Sequence, residues 1–274
     1  MKRCLLTGIA VLFLVSLFAQ NVGEKGNQDS LINYTDIQGN KQGRWTKNYK
    51  SGKKAYEANF RNNKLVGEYK RWFASGQLMA HVKYNEQGDV GYAKIYYDTG
   101  VLCGEGKYVN QNVKDSIWKF YGTDGVLMSE VSYKKGKLDG QSKSYFRNGN
   151  VNEIITYKDS VKDGLWRRHY EEGGTEMETM HVKGKRQGVF QVFYPKGNLK
   201  IKGRYFNDLP TDKWTYYNED GSIEKELEYD KKGRLKNQDE VDAEFTKQVH
   251  EWDKLKGTIP EPNEKSFFKS GNFE

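Results

Sequence analysis

The chain is short of aliphatic bulk, of histidine and of cysteine. Hydrophobic residues make up only 36% of its 274 positions, although aromatics reach 14%. That mixture excludes a thick aliphatic core. It suits a thin sheet whose Tyr and Trp bodies pack while their polar tips reach water. The four histidines, His81, His169, His181 and His250, show no zinc-ligand spacing, and Cys103, the one cysteine beyond the N-terminal apolar segment, is too little for a Cys/His site. No nucleophile elbow, Walker loop or dinucleotide fingerprint occurs, and carboxylates are spread once per repeat instead of converging on a cleft. The expectation is a protein that is not an enzyme, with no catalytic residues, no cofactor and no metal.

Long apolar runs are missing except at the N-terminus. Lys2 and Arg3 precede an apolar stretch from Leu5 to Phe18, and Ala19 is a small residue for cleavage. This pattern predicts a signal peptide over 1–19 and hence an exported protein: periplasmic, outer-surface or secreted. An uncleaved anchor is the alternative, but the run is shorter than the ~20 residues a span needs. Cys4 precedes the apolar run, so it is not the cysteine that follows a lipoprotein signal. Cleavage lowers the formal net charge from +8 to +6 and leaves Cys103 alone. Without an internal disulfide, the stability of an exported chain has to come from repeat stacking. Cys103 is expected to be a small buried strand residue.

What the chain does have is a period. Gly52, Gly76, Gly100, Gly125, Gly149, Gly173, Gly197 and Gly221 are spaced by 24 residues, with one step of 25. A fixed period in this range marks a repeat architecture. Taking each glycine as position zero, pairs such as Asn148-Gly149 and Asp220-Gly221 predict two-residue type I′ hairpins. Position −n then faces n−1.

That register sets Lys94 opposite Glu105, Lys119 opposite Glu130 and Arg167 opposite Glu178, with Glu68–Lys83 and Lys213–Glu228 two places outward. Such pairs stabilise by roughly 0.2–1 kcal/mol each. On the other face Trp118 meets Val131 and Trp214 meets Leu227. At position −9 glycines such as Gly43, Gly67 and Gly188 face aromatics at +8, an arrangement in which a ring covers a cross-strand glycine. Asn62-Asn63, Lys135-Gly136, Lys183-Gly184 and Asn207-Asp208 provide the turns between repeats.

The expected fold is therefore an all-β repeat protein, a long twisted antiparallel meander of about eight β-hairpin repeats with a short C-terminal capping helix. The segments are a signal peptide at 1–19, a lead-in at 20–42, the repeat domain at 43–233 and a cap helix with tail at 234–274. Asn237 and Glu240 read as a capping-box-like helix start. Val241, Phe245, Val249, Trp252 and Leu255 form its apolar stripe, suited to covering the last strand edge.

The stretches "GRWTKNYKSGKKAYEANF", "KDGLWRRHY" and "DKWTYYNEDGSIEKELEY" resemble the MORN family, specifically the variant bacterial MORN-like repeats grouped with YwqK-type antitoxin components. The resemblance spans roughly residues 43 to 233. It implies an interaction scaffold, with lipid, protein and toxin binding among the functions proposed for such repeats. The chain departs from the pattern at Ala93 and Ser142, where an aromatic is missing, and at Ser116 and Asp212, where glycine is missing.

The best candidate partner-binding surface is the row Lys70, Lys94, Lys119, Lys143 and Arg167, flanked on the same face by Trp72, Tyr96, Tyr121 and Tyr145. The competing reading is a solvated, salt-paired face. The function expected is a non-catalytic scaffold binding a protein or other macromolecule. An antitoxin or immunity component, an anionic-lipid module and a glycan-binding face are the alternatives. Nucleic acid is not expected for an exported and mildly basic chain. The irregular third and fifth repeats are the first places to look for function.

Overall fold

A computed structural model describes residues 31–239, 241–243 and 246–247. The signal segment, most of the C-terminal apolar stripe and the tail lie outside the described residues. Within each of two compact units, the described strands run antiparallel to their sequence neighbours. The chain divides into two compact units, one through Lys185 with Pro195–Gly197, the other comprising Arg186–Tyr194 and the residues from Asn198.

The first unit contains β1 (Tyr34–Thr35), β2 (Lys41–Asn48), β3 (Lys54–Arg61), β4 (Lys64–Trp72), β5 (Leu78–Tyr84), β6 (Val90–Tyr96) and β7 (Leu102–Val109). It continues with β8 (Val113–Tyr121), β9 (Leu127–Lys134), β10 (Lys137–Tyr145), β11 (Val151–Lys158), β12 (Val161–His169) and β13 (Thr175–Val182). The second unit carries β14 (Lys185–Phe193), β15 (Leu199–Phe206), β16 (Leu209–Tyr217) and β17 (Ile223–Tyr229).

The expected register holds from the base of each hairpin up to position −5. Gly43 faces Phe60, Trp118 faces Val131, and Lys213 faces Glu228. Nearer the turn it slips, because −4 pairs with +2 and not +3, as in Tyr145 with Val151. The cause is the turn itself. Tyr49 N donates to Lys53 O and Gly52 N to Tyr49 O, and the same pair of bonds recurs around Gly76, Gly100, Gly125, Gly149, Gly173 and Gly221, with Tyr194 N donating to Asn198 O at the Gly197 turn. Only the glycine has positive φ there (+83° at Gly52), not the residue before it. These are three-residue loops, a type I turn followed by a glycine bulge, and not the type I′ turns expected.

Type I′ geometry sits instead between repeats. Asn62 and Asn63 (φ 50° and 67°), Lys135 and Gly136 (49° and 84°) and Asn207 and Asp208 (51° and 69°) all have both central residues left-handed. The two turn types thus alternate along the meander.

Position −9 also needs correcting. A Cβ on Gly188 would meet nothing within 4 Å, and one on Gly67 only Asn59 Nδ2 at 3.8 Å, so no ring lies over either. The requirement there is conformational. Gly67 and Gly188 have φ of +60° and +84°, and Ser116 and Asp212, which replace glycine, are held at +61° and +59°. The residue sits in a bulge that inserts extra residues into the first strand of each repeat, as between β3 and β4. Among the −9 glycines, Gly91 does have a cross-strand ring against it, that of Tyr84 on β5, and rings lie against glycine at other positions too. A Cβ on Gly106 would collide with the Trp118 indole, and one on Gly203 with that of Trp214.

The third repeat breaks the rule. β5 and β6 pair without a bulge, and Gly91 lacks positive φ. The longer loop before it is tied down by Gln111, whose Nε2 donates to Gly88 O and whose Oε1 accepts from Leu65 N at 3.0 Å.

In the first unit the aromatic face is fully packed over Val82, Tyr84, Ala93 and Trp118. Trp118 is completely buried, with its ring centroid 4.7 Å from that of Tyr108. Tyr84 and Trp118 fill the space that the missing ring at Ala93 would leave. Cys103 is buried, as expected.

In the second unit, Trp214 packs against Phe190 and Tyr205 at 5.4 and 5.0 Å. Its last edge is covered: Lys236 N donates to Glu228 O at 2.7 Å, and Asn237 Nδ2 and Oδ1 bond Glu226 O and Glu228 N. Asn237 therefore clips β17 with its side chain, while its carbonyl accepts from Val241 N at the start of the helix.

Candidate functional site

Two faces have to be distinguished. On the charged face, position −6 of one strand lies beside position +5 of the strands on either side. Glu57 neighbours Lys70, Lys70 neighbours His81, and His81 neighbours Lys94. Lys94 is followed by Glu105, Lys119, Glu130 and Lys143. The row ends with Ile154, Arg167 and Glu178. The five basic residues thus form one continuous row across the first unit.

Most of that row is internally neutralised. Arg167 reaches Glu178 Oε2 through Nε and Nη2 at 3.0 and 2.7 Å, and Lys119 lies 3.6 Å from Glu130. Lys70 pairs with Glu68, not with an acid across the strand. The same preference for another partner appears in the second unit, where Lys213 bonds Glu226 at 2.9 Å instead of Glu228. Lys94 and Lys143 differ: neither makes an ion pair among the described residues. Their flanking carboxylates are engaged elsewhere, Glu105 by the Tyr121 hydroxyl at 2.8 Å and Glu130 by Lys119 and the Tyr145 hydroxyl at 2.9 Å.

Three of the four flanking aromatics, Tyr121, Tyr145 and Trp72, also have partners. Burial, then the hydrogen bond to Glu105, pushes the Tyr121 phenol up to about 12. Burial and Glu130 raise Tyr145 in the same way. Trp72 accepts the Tyr49 hydroxyl on its carbonyl at 2.7 Å, with Lys54 Nζ 5.5 Å from its ring centroid. Tyr96 is half-buried beside the free Lys94. Beyond the expected set, Tyr92 is 65% exposed between Lys83 and Lys107.

The aromatic face carries a feature that sequence reasoning missed. Lys41, Lys114 and Lys162 lie over the rings of Trp45, Trp118 and Trp166, with Nζ 4.6, 4.8 and 4.2 Å from the centroids. Each lysine stands four residues before its tryptophan, a spacing visible in the sequence. Cation–π contacts of this kind contribute about 0.5–2 kcal/mol. Burial lowers the Lys41 pKa.

Among the described residues no group of three or more His, Cys, Asp or Glu side chains is placed to hold a metal ion. No described helix is long and apolar enough to cross a membrane.

Hairpins stacked in series, each presenting the same positions to two faces, define a tandem β-hairpin repeat protein. The chain belongs to the MORN repeat variant family, whose model matches residues 41–62, 65–86, 89–110, 114–135, 138–159, 186–207 and 213–231, together more than half of the chain. The hairpin of β12 and β13 falls outside those matches yet keeps the common register, with Gly164 opposite His181 and Trp166 opposite Thr179. A comparison with curated proteins finds no match.

Proposed function

We propose that this chain is an exported, non-catalytic repeat scaffold that binds a protein partner across its charged face, with Lys94 and Lys143 as the principal contacts. The observation that carries this reading is their lack of ion pairs in a row whose other cations have carboxylate partners. A lysine already paired gains little from a partner's carboxylate, whereas an unpaired one gains a charge-assisted bond without breaking another. Tyr96 and the exposed Tyr92 provide rigid aromatic area beside Lys94. The signal-like leader supports export, and the repeat family supports a binding role over catalysis.

Affinity capture with the chain lacking residues 1–19, comparing wild type with Lys94→Glu/Lys143→Glu, tests this. A partner held by wild type and lost by the double variant is expected, with circular dichroism unchanged. Equal capture by both would contradict the assignment. A captured toxin that the chain inhibits would specify the scaffold as an antitoxin.

A further inference from the structure

We propose that the outer edges of β2 and β17 are complementary docking surfaces for a second copy of this chain, joined head to tail, and that one asparagine keeps each edge closed. The partner on the charged face plays no part in this.

Among the described residues, β2 and β17 are the outermost strands longer than two residues. An outer edge presents a row of peptide groups on which a further strand can form. On β2, Asn33 N donates to Arg44 O at 2.9 Å, and Asn33 Oδ1 accepts from Thr46 N at 2.8 Å. On β17, Asn237 Nδ2 donates to Glu226 O and its Oδ1 accepts from Glu228 N, both at 3.1 Å. Each asparagine thus gives one donor and one acceptor to alternate residues of its strand, as a neighbouring strand would.

The two clips hold matching places in the ladder. Counted from the turn glycines Gly52 and Gly221, Thr46 is at −6 and Glu226 at +5. Position +5 of one repeat pairs with −6 of the next, as in Glu57 with Lys70, Glu105 with Lys119 and Lys202 with Thr215. Laying β17 of one copy beside β2 of another continues this register, with Glu226 opposite Thr46. The Thr46 N–H then bonds Glu226 O, and these are groups that Asn33 and Asn237 now occupy. Leu227 comes opposite Trp45, small against large, as Ala58 lies opposite Tyr69. Lys225 comes opposite Lys47, a like-charge pair that salt screens. The interface joins two different edges, so each copy keeps one end open for the next.

The clip on β2 is lightly held. Only Tyr34 and Thr35 of the lead-in pair with the strand, and Leu31 and Ile32 stay 37% and 54% exposed. Displacing this strap therefore uncovers little apolar surface. At the other end, Gln238 and Asp239 beyond the clip are exposed.

The test is size exclusion with light scattering on the chain lacking residues 1–19, in moderate salt. Asn33→Pro removes the N–H and the side-chain amide, and proline cannot adopt the φ of +61° found there. Lys236→Pro/Asn237→Ala opens the other end. Wild type and each of these variants alone should be monomeric, because each keeps at least one end closed. Mixing the two variants should give a dimer of twice the mass, and the chain with all three substitutions should form a series of larger species. Adding Thr46→Pro to the Asn33→Pro partner removes the joining N–H from an edge strand and should abolish the dimer. Should circular dichroism show a proline variant unfolded, Asn33→Ala mixed with Asn237→Ala should give the same dimer. A monomeric mixture of folded variants, a single variant that dimerises alone, or a wild type that already assembles overturns the proposal.

Discussion

Gly106 lies against the indole of Trp118 so closely that a Cβ there would collide with Cδ2 and Cγ of the ring. Trp118 has no exposed surface, and its Nε1 donates to Lys107 O at 2.9 Å. The largest side chain of the first unit's core is therefore seated on a residue with no side chain.

Gly106→Ala should destabilise the chain by about 1–3 kcal/mol, the usual cost of overpacking. Gly188→Ala has open space around the new methyl, but φ is +84°. Its cost should be the conformational one alone, about 1 kcal/mol. Urea midpoints of the two variants give the comparison, and an unchanged midpoint for Gly106→Ala would contradict the packing.

Ser116 and Asp212 occupy a left-handed position that glycine fills in most other repeats. Ser116→Gly and Asp212→Gly should each raise stability by about 0.5–1 kcal/mol, the relief of left-handed strain less the extra entropy of the unfolded glycine. Thermal unfolding reads this directly. A lowered midpoint in both would mean that the side chains contribute more than the strain costs.

Alkaline stability follows from the buried tyrosines. Burial, with a smaller contribution from Tyr133, raises the Tyr108 phenol to about 12, and burial raises Tyr84 further. An unfolded tyrosine loses its proton near 10, so above that pH the unfolded chain binds fewer protons than the folded one. Stability is full below pH 10 and falls as pH rises toward 12, by about 1.4 kcal/mol per pH unit for each such group. Tyr108→Phe should shallow this fall. Equal slopes for wild type and variant between pH 10 and 12 would show that Tyr108 titrates normally.

Much of this architecture was legible in the sequence because strand pairing leaves a period-two record. Lys119 against Glu130 and Trp118 against Val131 could be placed from spacing alone, and both are observed. Turn chemistry was less legible, since glycine at the end of a tight turn fits two geometries. The residues before it held the missing information: Glu172 and Lys196 are poor left-handed residues, whereas Asn62-Asn63 and Asn207-Asp208 tolerate that region well. At the candidate site, register showed which residues share a face. It did not show which carboxylate each lysine takes, because long side chains reach several partners. Lys70 turning to Glu68, and Tyr121 engaging Glu105, are choices made by side-chain reach.

The central claim is that Lys94 and Lys143, left unpaired in a neutralised row, bind the partner. Quantitative affinity capture comparing Lys94→Glu/Lys143→Glu with Lys119→Glu/Arg167→Glu tests it most directly. The account predicts that the first pair loses the partner by about tenfold or more, two charge-assisted bonds being removed. The second pair should retain most of it, because Lys119 and Arg167 already have their carboxylates. Equal losses, or a loss confined to the second pair, would contradict the account.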